Sequence, residues 1–254
     1  MRELSLPLSL TGTDLAVLAV CLLAGWLAGG VGNWAADVLP GRGAPASPGK
    51  DVHRTSGGGF TPLHYLTLPW YPFRRGVCPH CGERRPLRPP LLEASMMVAF
   101  LLTWGCFRTD PIHLAIVCLY AVFLLTVLVI DLEHRRVLNI MVGPAALVAL
   151  LASLLPGYPN PLQALLGGVI GYGAFMILAL LGRGALGAGD VKLAGVIGLM
   201  AGYPAVIPAL MVGVILGGVA AIALLVTRRA GRKSTFAYAP YLALGAMIVL
   251  LVRG

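Results

Sequence analysis

The chain has 254 residues, 58% of them hydrophobic and only 11% charged, with a mean hydropathy of +0.85. A soluble domain carries about 25% charged residues, so a soluble globular fold is excluded. The formal net charge of +9 does not indicate nucleic-acid binding, because the basic residues fall in short segments between long apolar runs.

Taken in chain order, the first apolar run covers 15–39. Arg2 ahead of it resembles a secretory signal, but Glu3 and Asp14 neutralise that region and no small-x-small cleavage site follows. It reads as a retained first span. Residues 40–90 are rich in Pro, Gly and Arg and lack helical periodicity, so they read as a loop and not as an independent domain. Further spans are expected at 91–107, 112–131, 137–155, 162–182, 190–202, 204–226 and 237–252, the one at 190–202 being short. The turns between them are brief, such as "LEHRR", "PGYPNP" and "TRRAGRKST". The expected fold is all-α, a polytopic membrane protein of about eight transmembrane helices. Its expected organisation is a first span (1–39), a larger cytosolic loop (40–90) and a seven-span catalytic membrane domain (91–254).

Charge placement sets the orientation. If the 40–90 loop is cytosolic, the cytosolic segments hold 16 of the 19 basic residues, leaving only Arg2, Arg108 and Arg253 outside. Both termini are then expected to face out.

Two carboxylates acquire meaning from this topology. Asp131 ends the run "AVFLLTVLVID" and Asp190 opens "VKLAGVIGLMAG", both at the cytosolic border. Charge at membrane depth is costly, so an intramembrane carboxylate is a functional candidate. Two of them brought together at a poorly hydrated border do not both ionise easily; sharing a proton, they act as acid and base on a water. That suits peptide hydrolysis without a covalent intermediate. Gly187 and Gly189 are expected to let a substrate backbone approach, and Lys192 to bias the pair electrostatically. Residue chemistry alone leaves two alternatives open. Either aspartate serves equally as a headgroup anchor or an arginine partner, as "EHRR" after Asp131 permits. A proton-coupled carrier also uses such residues, although transporters bind near the midplane and these carboxylates cluster at one face.

Five segments in chain order resemble the type IV prepilin peptidases, bacterial GxGD aspartyl proteases. "GAGDVKLAGVIGLMAG" (Gly187–Gly202) is similar to their GxGDxKL signature, and "VIDLEHRRVLN" (Val129–Asn139) to the segment of the first catalytic aspartate, with Asn139 at a position usually held by proline. "GGVGNWAADVLP" (Gly29–Pro40), "RPPLLE" (Arg88–Glu93) and "FAYAPYLALGA" (Phe236–Ala246) resemble the family's first span, second span and last span. The resemblance implies an intramembrane endopeptidase of the bacterial inner membrane, with Asp131 and Asp190 as its catalytic pair. Its partners would be membrane lipid and a prepilin or pseudopilin with a basic leader and a hydrophobic helix, cleaved at the cytosolic face. No nucleic acid and no cofactor for proteolysis are implied.

Many family members also N-methylate the new N-terminus with S-adenosylmethionine. Asn33 and Glu93 match motif positions for a methyl-transfer region, and each equally suits a polar interhelical contact. The family commonly holds a structural zinc with two CxxC pairs in the first loop. This chain has one, Cys78 and Cys81 in "CPHC", which is half of a tetrahedral site. His53, His64, His80 or a second chain would complete it; otherwise the pair is a reduced remnant. Cys21, Cys106 and Cys118 are expected to pack within spans. "RTSGGGF" lacks the strand–turn–helix context of a nucleotide-binding loop and reads as flexible.

Overall fold

A computed structural model describes residues 12–40, 66–68, 87–182, 186–227 and 238–253. Among the described residues there are eight helices and no strand: α1 (Gly12–Val38), α2 (Arg88–Phe107), α3 (Pro111–His134), α4 (Asn139–Ala152), α5 (Pro161–Leu181), α6 (Ala188–Ala201), α7 (Val206–Val226) and α8 (Ala239–Val252). Each falls on one of the spans expected from the sequence. Five (α1, α2, α3, α5 and α7) are long and apolar enough to cross a membrane. This is a polytopic membrane protein.

Side chains such as Val20, Val169, Leu180 and Ile222, each more than 60% exposed, give the long helices a lipid-facing surface. In hydrocarbon, apolar side chains supply no driving force between helices, so close packing has to come from small residues. Glycines meet this need in three antiparallel pairs. In α1–α2, a Cβ built on Gly29 would lie 2.5 Å from the Glu93 Cα, and one on Gly25 would lie 2.9 Å from the Met97 Cα. In α5–α6, Cβ atoms on Gly167 and Gly171 would lie 2.3 Å from the carbonyl oxygens of Gly198 and Ala194. In α7–α8, a Cβ on Gly213 would lie 2.9 Å from the Leu242 Cα. Each pair holds one register along its length, and any larger side chain would force the backbones apart.

α3 stands at the centre, packed against α1, α2, α4 and α8. Asp110 caps its start, accepting from the backbone N–H groups of Ile112 and His113, each at 3.1 Å. Arg135 ends it at φ 53°, donating its N–H to the Asp131 carbonyl. The short helices have a different task. α6 has 14 residues, or about 21 Å at 1.5 Å per residue, less than the ~30 Å hydrocarbon layer. Ten of its residues are buried, Leu193, Ala194 and Ile197 completely. The protein, not lipid, is its solvent, which accounts for its small residues and its short apolar run.

Candidate active site

Asp131 lies in the last turn of α3 and is 5% exposed; Asp190 lies in the first turn of α6 and is 8% exposed. The fold brings them within range of each other's charge. Three local features produce this meeting. Gly187 precedes α6 in extended conformation (φ −77°, ψ 147°), and its N–H donates to Asp190 Oδ2 at 3.1 Å. That bond is the returning half of a capping box and fixes the rotamer of Asp190. Gly189 rests against the turn between α3 and α4, where a Cβ on it would lie 2.9 Å from the Val137 Cβ. The space this glycine leaves is therefore taken by Val137. It lets the start of α6 close onto the end of α3, where the sequence reading expected room for substrate backbone.

The third feature was not assigned from sequence. α8 begins at Ala239, and its backbone N–H faces both carboxylates. Pro240 at the helix start has no N–H to leave unsatisfied there. The amino end of α8 thus directs its partial positive charge at the pair. Tyr238, one residue earlier, anchors that end: its hydroxyl donates to the Val214 carbonyl at 3.3 Å, and its ring covers Gly217, where a Cβ would lie 2.8 Å from the ring Cε2. The sequence signal for all this was the tripeptide Tyr238-Ala239-Pro240. Asp131 Oδ2 is buried and makes no hydrogen bond, so one acceptor of the pair is uncommitted.

Lys192 makes a side-chain contact at the same border. Its Nζ donates to Asn139 Oδ1 at 2.8 Å, joining the first turns of α6 and α4. Around the same border, Arg88 donates to Asp37 Oδ1 at 2.7 Å and to Glu133 Oε2 at 2.6 Å, tying the ends of α1, α2 and α3 together two residues from Asp131.

Glu93 and Asn33 lie deeper, between α1 and α2, and both are fully buried. Glu93 Oε1 accepts from the Thr67 N–H at 2.7 Å and the Thr67 hydroxyl at 2.8 Å. Its Oε2 accepts from Trp26 Nε1 and the Leu68 N–H, both at 2.8 Å. Asn33 Nδ2 donates to the Pro89 carbonyl at 3.1 Å. Four donors engage the Glu93 carboxylate, while Asn33 Oδ1 is buried with no hydrogen-bond partner among the described residues. The Glu93 bonds fasten residues 66–68 onto the α1–α2 pair. Cys78 and Cys81 lie outside the described residues; among those described, no group of three or more His, Cys, Asp or Glu side chains is arranged to hold a metal.

Residues 118–222, which include both aspartates, match the model of the type IV leader peptidase family. Over these residues the chain is similar to that family. It is 26% identical over 214 residues to the prepilin leader peptidase/N-methyltransferase of Bacillus subtilis (strain 168), covering 82% of each chain. It is 24% identical over 196 residues to the protein of the same name from Pseudomonas aeruginosa, covering 75% of this chain and 67% of that one. No solved structure matches it. The leader peptidase match runs from α3 to α7 and includes both carboxylates.

Proposed function

We propose that this chain is an intramembrane aspartyl endopeptidase that removes the leader from type IV prepilins or pseudopilins, with Asp131 and Asp190 as the catalytic pair. The observation that carries this reading is the convergence of two buried carboxylates, from separate helices, on one backbone N–H inside a leader peptidase domain. A water between the carboxylates would lose a proton to one while the other protonates the scissile carbonyl oxygen, giving a tetrahedral diol. Collapse of that diol returns the proton to the leaving amine and releases leader and mature chain. Aspartates held by helix ends, capped by Gly187 and faced by the α8 amino end, need little rearrangement to do this.

The site is proposed to open to the cytosol at the bacterial inner membrane, with both termini outside and the 40–90 segment cytosolic. The clustering of Arg42 to Arg88, Arg135, Arg136, Lys192 and Arg228 to Lys233 on that side supports it. Gly187 and Gly189 are proposed as support for the Asp190 turn, and Lys192 as a brace between α6 and α4. N-methylation, part of both relatives' names, is proposed as a second activity, with Asn33 and Glu93 as its candidate region.

Membranes containing the full chain, incubated with a prepilin or pseudopilin, test the reading by mass spectrometry. The expected result is loss of the leader mass, and the same spectrum reads any added methyl group. Intact precursor with two unrelated prepilins would contradict it.

A further inference from the structure

An apolar cavity of about 220 Å³ opens on the lipid-facing side between α1, α3 and α4. α3 forms its floor, and α1 and α4 face each other across it. Three observations separate it from an ordinary gap between helices. First, small residues line both walls: Gly32 and Ala35 on α1, Ala145 on α4. In membranes such residues admit the backbone of another helix at close range. Second, Thr126 on the floor is 2% exposed, and its hydroxyl has no hydrogen-bond partner. Opposite it, Pro144 interrupts α4 and cannot donate to the Ile140 carbonyl. Lipid tails have nothing to offer these polar atoms, whereas a peptide brings donors and acceptors. Third, Thr126 and Asp131 share α3 and are five residues apart, about 7.5 Å along the axis at 1.5 Å per residue. The cavity therefore lies immediately below the carboxylate pair, on the bilayer side.

We propose that this groove between α1, α3 and α4 seats the hydrophobic helix of the leader-bearing substrate while its leader junction lies between Asp131 and Asp190. The proposal rests on the leader peptidase reading above. A guest helix entering from lipid would press one face against Gly32, Ala35 and Ala145, with its first turn level with Thr126. Its junction would then continue upward to the carboxylates without crossing the protein interior. Seating the helix sets which peptide bond reaches the pair. The groove is thus a specificity device that needs no sequence-specific contact in the leader.

A photoreactive residue placed one to two turns into the apolar helix of a prepilin tests this in membranes holding the full chain. Crosslinks are expected at Val31 and Val148, on opposite walls, and not at Val169 on α5, which is equally apolar and 69% exposed. Filling the groove with Ala145→Leu is expected to raise KM about tenfold, a difference of about 1.4 kcal/mol, with kcat within about twofold. Leader removal by the wild type combined with crosslinks mapping to α5, or spread evenly over the lipid face, would overturn the groove and leave the peptidase reading intact. Absence of leader removal by the wild type would instead overturn the peptidase reading, and the groove with it.

Discussion

Gly189 meets Val137 so closely that a methyl group on the glycine would sit 2.9 Å from the valine Cβ. This contact links the amino end of α6 to the turn after α3, and so links Asp190 to Asp131. It gives the second glycine of "GAGD" a packing reason that can be tested apart from chemistry.

Gly189→Ala is expected to displace the start of α6 and lower leader removal at least tenfold. Overpacking of this kind costs about 1–3 kcal/mol. Adding Val137→Gly removes the obstructing Cβ and Cγ2 and is expected to restore part of the activity. Cleavage rates of the single and double variants check it; a double variant no better than Gly189→Ala would show that the glycine acts in another way.

Glu93→Gln is expected to destabilise the protein without touching the carboxylate pair. The substitution turns one acceptor oxygen into an NH₂ that faces existing donors, either Trp26 and Leu68 or Thr67. A buried polar mismatch of this sort costs about 1–3 kcal/mol. Thermal unfolding in detergent should show a lower midpoint. Protease sensitivity near residues 66–68 should rise, since these lose their anchor. An unchanged midpoint and cleavage pattern would contradict the anchoring role.

On the opposite face, the His113 backbone N–H and ring hold the Asp110 carboxyl below the ordinary carboxylate range. A folded-state pKa below the unfolded one contributes stability that is present above the unfolded value and lost as pH falls through the folded one. Asp110→Ala should therefore lower the unfolding temperature at neutral pH, through loss of the α3 cap. The difference between variant and wild type should shrink as pH falls through and below the carboxylate range. A gap that stays constant through and below that range would remove the ionised cap from the account.

Much of the fold was legible in the sequence because a bilayer imposes simple rules on span length and on the side that receives basic residues. Those two rules alone placed Asp131 and Asp190 at one depth. α6 was legible as a short apolar run, but its burial was not, because only the packing of its neighbours supplies the surroundings that a lipid-facing helix lacks. The partners of Glu93 were out of reach for a related reason: Trp26, Thr67 and Leu68 come from a distant helix and from a segment with no periodic signal. Lys192 lies two residues after Asp190, and proximity in sequence suggested an electrostatic role. On a helix, neighbours two apart do not share a face, and the side chain reaches Asn139. The amino end of α8 left its trace in Tyr238-Ala239-Pro240, since a backbone N–H has no residue code.

The central claim is that Asp131 and Asp190 cleave the leader together. The most direct measurement compares leader removal by the wild type, Asp131→Asn and Asp190→Asn, each quantified for membrane insertion and read by mass spectrometry on the same prepilin. Both variants should insert normally and lose cleavage by about a thousandfold or more, since neither carboxylate can act as acid and base alone. Normal leader removal by either inserted variant would contradict the account.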